Sequence, residues 1–154
     1  MNTRLISILL LGCGIGAHAL ADEPGRHPAY LHALADLRAA QWQVDHRRPE
    51  DPHISRAETD IHEHIAAAMT EVQRAARKDD KPVEDRVPAD AGTHEGRLHA
   101  AVDLLRKARE DIARPEDDPR ARRFQENGLA QVDAAIFAAE RAIGDVQHDG
   151  APRR

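Results

Sequence analysis

The chain of 154 residues has one cysteine, Cys13, and only four Trp, Tyr and Phe side chains together. A lone cysteine closes no intramolecular disulfide and builds no multi-thiolate metal site. No stretch alternates apolar and polar residues for long enough to predict a strand. The common catalytic signatures are absent as well: there is no G-x-S-x-G, phosphate loop, H-E-x-x-H or C-x-x-C-H. A di-iron carboxylate bundle needs two E-x-x-H pairs. The single instance, Glu50 to His53, has Pro52 inside it. These absences point away from an enzyme.

The one long apolar run lies at the start, in "MNTRLISILLLGCGIGAHALADE". Arg4 supplies a basic beginning, Leu5 to Ile15 an apolar stretch, and Ala19-Leu20-Ala21 a small-x-small cleavage site. The segment reads as a secretory signal peptide, residues 1–21, too short and wrongly flanked for a membrane span. Leu10-Leu11-Gly12-Cys13 also has the form of a lipobox. The residues after Cys13 stay apolar, which favours a continuing signal core and a periplasmic or secreted product. The Gly12-x-Gly14-x-Gly16 run lacks the strand–helix context of a nucleotide loop.

Removing residues 1–21 takes Arg4 from the 22 basic side chains and leaves all 27 acidic ones, for a formal charge of −6. That sign argues against nucleic acid or an anionic membrane surface as partner. Nine histidines remain after His18 is lost, which makes the charge sensitive to pH.

Helix formers dominate what is left, and four helices are predicted. The first runs from Pro28 to about Arg47, the second from Asp51-Pro52 to about Lys78. The third follows the N-cap Thr93 and stops before Pro115, and the fourth runs from Asp118-Pro119 to about Val146. Apolar residues recur at alternating steps of three and four. Helix 3 has Leu98, Ala101, Leu105, Ala108 and Ile112; helix 4 has Leu129, Val132, Ile136, Ala139, Ile143 and Val146; helix 1 has Tyr30, Leu34, Leu37, Gln41 and Val44. These stripes predict an all-α four-helix bundle, and their many alanines predict close packing.

The chain also repeats itself. "HPAYLHALADL" begins at His27 and "HEGRLHAAVDL" at His94, an interval of 67. With that shift His32 meets His99, Asp36 meets Asp103, Pro52 meets Pro119 and Arg74-Ala75 meets Arg141-Ala142. The match crosses two helices and their turn. The single domain, residues 22–154, is therefore expected to hold two tandem hairpins, 27–78 and 94–147, joined by a linker at 79–93. The linker is long enough, at about 3.3 Å per residue, to run the length of the bundle.

His32 and Asp36 are four apart, as are His99 and Asp103, so each pair shares one helix face, away from the apolar stripe. Imidazole plus carboxylate suits a divalent transition metal such as Zn, Cu or Ni, with further ligands from another helix. His27 and His94, on the apolar side at helix starts, are either end-of-core residues or further ligands. His62 aligns with Leu129 and is expected to face inward, with Glu58 as partner and a metal as the alternative. His64, aligned with Gln131, is expected at the surface. His62 and His64 cannot chelate one ion together, being two positions apart on a helix. A haem ligated by Met69 and a histidine has no supporting spacing.

The stretch His27-Pro28-x-Tyr30-Leu31-His32-Ala33-Leu34-x-Asp36-Leu37-Arg38 resembles a motif in uncharacterised secreted proteins of Gram-negative bacteria. Arg97-Leu98-His99 through Asp103-Leu104-Leu105 resembles their second block, and "VDAAI" at 132–136 their last helix. The resemblance implies a periplasmic helical bundle and carries over no catalytic residue. Together these features lead to two expectations. One is a non-enzymatic module that binds an envelope protein; the other is a transition-metal binder.

Overall fold

The computed structural model describes residues 28–46, 55–76 and 88–149. The signal segment and His27 lie outside the described residues. Four helices form, α1 (Pro28–Asp45), α2 (Arg56–Ala75), α3 (His94–Ile112) and α4 (Pro119–Asp149), with no strand among the described residues. None of these helices is long and apolar enough to cross a membrane.

Local chemistry sets the helix ends. Ser55, in an extended conformation, caps α2 by a reciprocal box. Its Oγ accepts from the Glu58 N–H at 3.1 Å, and its own N–H donates to Glu58 Oε2 at 2.8 Å. The second helix therefore begins at Arg56, later than the Asp51-Pro52 pair suggests. Thr93 caps α3 as expected, its Oγ1 accepting from the Gly96 N–H at 3.0 Å. A side chain at 96 would stand 2.8 Å from that Oγ1 and 2.9 Å from the Ala91 carbonyl oxygen, so the tight entry requires glycine. Gly92, at φ +80°, supplies the left-handed turn just before. Asp118 Oδ1 accepts from the Arg120 N–H at 2.9 Å and opens α4.

Side-chain contacts orient the helices. Tyr30, at the start of α1, reaches Glu116 beyond the end of α3, while Gln43, near the end of α1, reaches Ala89 before α3 begins. Thus α1 and α3 are antiparallel. Gly128, early in α4, lies against Val72, late in α2, and Gln147 at the far end of α4 bonds Glu95 at the start of α3. The topology is up-down-down-up: α1 and α4 each pack on α2 and α3, and occupy opposite corners. α2 ends at one pole of the bundle and α3 starts at the other.

Among the described residues, thirteen of the 26 buried apolar side chains are alanine. Small side chains at helix contacts let the helix backbones approach closely. Larger side chains, including Leu37, Ile61, Ile65, Leu105, Ile112 and Val132, fill the centre. All five stripe positions predicted in α3 are buried, as are Tyr30, Leu34, Leu37 and Val44 of α1.

Burial recurs with two registers. Positions 58, 61, 65, 68, 72 and 76 of the first half are buried, and so are those 67 further on. In α1, positions 30, 33, 34, 37, 40 and 44 are buried, and their buried counterparts in α3 lie 68 further on. One residue turns a helix by about 100°. His32 and His99, paired by the sequence shift of 67, therefore occupy different angular positions relative to the core.

Candidate functional site

Five polar side chains are buried among the described residues: Gln43, Glu58, Arg97, Glu116 and Gln125. They divide between the two poles, and each ties down a helix end or a loop. At one pole Glu58 completes the Ser55 box, and His94 Nε2 approaches its Oε1 to 3.5 Å. Arg97 lies beside it on α3, with Nη1 3.4 Å from the Gly92 carbonyl and 3.8 Å from Asp90 Oδ1. Gln43 donates to the Ala89 carbonyl at 2.8 Å and ties the approach to α3 onto α1.

At the other pole Tyr30 donates its hydroxyl to Glu116 Oε2 at 2.8 Å. Burial, then the bond to the carboxylate and its charge, push the phenol well above the usual tyrosine range. The other carboxylate oxygen of Glu116 accepts from the Asp118 N–H at 2.8 Å. Gln125 Nε2 donates to the Ile112 and Arg114 carbonyls, at 2.5 and 2.6 Å, and so satisfies the C-terminus of α3.

Most of the other charged side chains among the described residues are exposed or half-buried. Between α1 and α3 an open groove of about 480 Å³ is lined by His32, Asp36, Lys107 and Asp111 around Leu104, with Pro88 at one margin. A shallower notch of about 310 Å³ lies between α2 and α4, with Ala67, Thr70, Asn127 and Ala130 on its walls. Glu71 Oε2 is buried there without a hydrogen-bond partner among the described residues, while its Oε1 accepts from Arg74 Nη1 at 2.7 Å.

The sequence-predicted site residues are dispersed. His32 and Asp36 share the α1–α3 groove. His99 is exposed and lies 3.7 Å from Glu95, and Asp103 is exposed and lies 3.9 Å from Arg106. His94 is half-buried beside Glu58. Among the described residues no three His, Cys, Asp or Glu side chains converge as a metal would need.

His62 corrects the expectation made for it. It is exposed, and its Nδ1 lies 3.2 Å from Asp45 Oδ1 and 3.3 Å from Gln41 Nε2. Ile61 takes the buried place in that turn, as Gly128 does 67 residues later, while Leu129 is only partly buried. Glu58 is consequently bound to the helix cap and not to His62. His64 is half-buried and bonds Gln131 at 2.8 Å.

Lys107 and Asp111 become neighbours of His32 and Asp36 only through the antiparallel pairing of α1 and α3, which no local sequence signal marks. The S-x-x-E capping signal at Ser55-Glu58 was legible in the sequence. Buried Arg97 had no signal beyond its place on the apolar side of α3. No protein-family model matches the chain, and no curated protein or solved structure is similar to it.

Proposed function

We propose that this is an exported helical bundle that acts by binding, as a periplasmic protein-interaction or structural module, and not as an enzyme. One observation carries the reading. The buried polar side chains close helix ends and loops, whereas His32, Asp36, Lys107 and Asp111 line an open groove around an apolar patch at Leu104. Mixed charge around an apolar centre suits a protein surface better than a nucleic acid or a lipid headgroup. The signal-like segment at residues 1–21 supports export.

We also read the bundle as one hairpin present twice, folded about an approximate twofold axis perpendicular to the helices. Such an axis brings residues 67 apart into contact where it crosses the α2–α4 seam, and His64 bonds Gln131 there. The axis pairs α1 with α3 and α2 with α4, each antiparallel, as in the observed packing.

A photoreactive residue at Ala35, introduced into the exported protein in its own host, tests the groove. The expected result is a discrete protein adduct that disappears in His32→Ala/Lys107→Glu. No adduct, or one indifferent to those substitutions, removes the groove from the function.

The second reading, transition-metal binding, draws support from His32 and Asp36 sharing that groove with Asp111. Three such groups match a zinc or copper donor set if the side chains rearrange. Calorimetric titration with Zn and Cu tests it. His32→Ala removes the site if the reading holds, and His99→Ala leaves it intact.

A further inference from the structure

We propose that the outward face of α4 is a self-association surface on which two copies of the chain pair antiparallel. Phe137 is the only large hydrophobic residue exposed among the described residues, at 63 %. It lies on the α4 ridge away from the core, in line with Arg123, Glu126, Ala130, Arg141 and Gly144, all exposed. Their steps are three, four, seven, four and three. That spacing is the same read in either direction and follows the 3.5-residue repeat of a coiled-coil seam.

The residue types are complementary under the same reversal. About an axis between Asp133 and Ala134, Glu126 falls opposite Arg141 of the second copy, Ala130 opposite Phe137, and Arg123 opposite Gly144. Glu126 and Arg141 have no ion-pair partner among the described residues of their own chain. Glu126 and Arg141 are about 22 Å apart along the helix, so pairing places an ion pair at each end of the seam.

The centre of the seam has room for the ring. Ala130, opposite Phe137, borders the notch walled by Ala67, Thr70 and Asn127. Gly144 is equally open, since a Cβ added there meets nothing within 4 Å. Asp133 falls beside the axis, opposite Ala134 of the second copy. Its charge is already offset by Arg109, whose Nε lies 2.6 Å away and whose guanidinium is held above its usual pKa by that bond. The α1–α3 groove stays uncovered in such a dimer, because α1 occupies the corner opposite α4.

The occupant is thus a second copy of the chain, whose reversed ridge sets Arg141 opposite Glu126 at each end of the seam and Phe137 opposite Ala130 between them. Sedimentation velocity of the whole protein across about 1–100 µM, a range suited to a small reversible interface, tests this. A monomer–dimer equilibrium is expected. Phe137→Ala weakens it roughly 30-fold, as truncation of a central aromatic anchor does. Glu126→Arg and Arg141→Glu each abolish the dimer by setting like charges opposite. The double variant Glu126→Arg/Arg141→Glu restores it, because both partners are reversed together. All these positions are exposed, and an unchanged helix signal by circular dichroism confirms that each variant folds. A protein monomeric throughout the range, an oligomer indifferent to Phe137→Ala, or a double variant that stays monomeric would overturn the proposal.

Discussion

His64 Nδ1 lies 2.8 Å from Oε1 of Gln131, a residue 67 positions further along the chain. The same interval separates the two copies of the histidine-containing phrase. The bond joins α2 to α4 at mid-length, where both partners are half-buried. Removing one partner leaves the other's polar atom stranded in the seam. We expect His64→Leu or Gln131→Leu alone to cost about 1 kcal/mol, and the double substitution to cost less than the sum. Urea unfolding of the three variants reads the coupling; additive losses would show that the two side chains do not interact.

The Tyr30–Glu116 bond gives the fold an alkaline limit. Tyr30 is 2 % exposed and its phenol is raised above the ordinary value, so the neutral form is favoured by folding. Its contribution is complete below the unfolded tyrosine pKa of about 10 and is lost as pH rises through the higher folded value. Tyr30→Phe is expected to cost about 1–2 kcal/mol at neutral pH and to flatten the fall in stability above about pH 10. Chemical unfolding at a series of alkaline pH values measures both effects.

The two poles are closed by different devices. Ser55→Ala breaks half of the capping box and is expected to cost about 1 kcal/mol. Gln125→Ala strands two carbonyl groups at the end of α3 and is expected to cost about 1–3 kcal/mol. Hydrogen exchange should localise the first loss to the N-terminal turn of α2 and the second to residues near Ile112. Uniform loss of protection instead would mean that the poles do not act separately.

Two glycines of α4 should respond oppositely to alanine. Gly144 faces open space, so Gly144→Ala gains about 0.5–1 kcal/mol of helix propensity. At Gly128 an added Cβ stands 3.2 Å from Cγ2 of Val72, which is fully buried. Gly128→Ala is expected to gain nothing, because the α2–α4 seam must open for it. Thermal melting of both variants decides the matter.

The stripes of α3 and α1 were legible because a 3.6-residue period survives any uncertainty about topology. The caps at Thr93 and Asp118 were legible for the same local reason. The start of α2 was misread because Pro52 resembles a first helical residue, although the Ser55-Glu58 box three residues later sets the boundary. His62 lies outside the core although its twin is apolar, because Leu129 is itself only partly buried; the core lies one residue earlier, at Ile61 and Gly128. The groove was only half visible. His32 and Asp36 are local in sequence, but Lys107 and Asp111 join them through an antiparallel pairing that the long linker left undetermined.

The division of polar residues between scaffold and recognition is tested most directly by comparing Tm values. His32→Ala/Lys107→Glu in the groove should leave Tm within about 2 °C of the parent, because neither side chain closes a helix end. Glu58→Ala and Gln125→Ala should each lower it by about 4 °C or more. A groove variant that melts as early as these two would contradict the account, since the groove would then be part of what holds the bundle together.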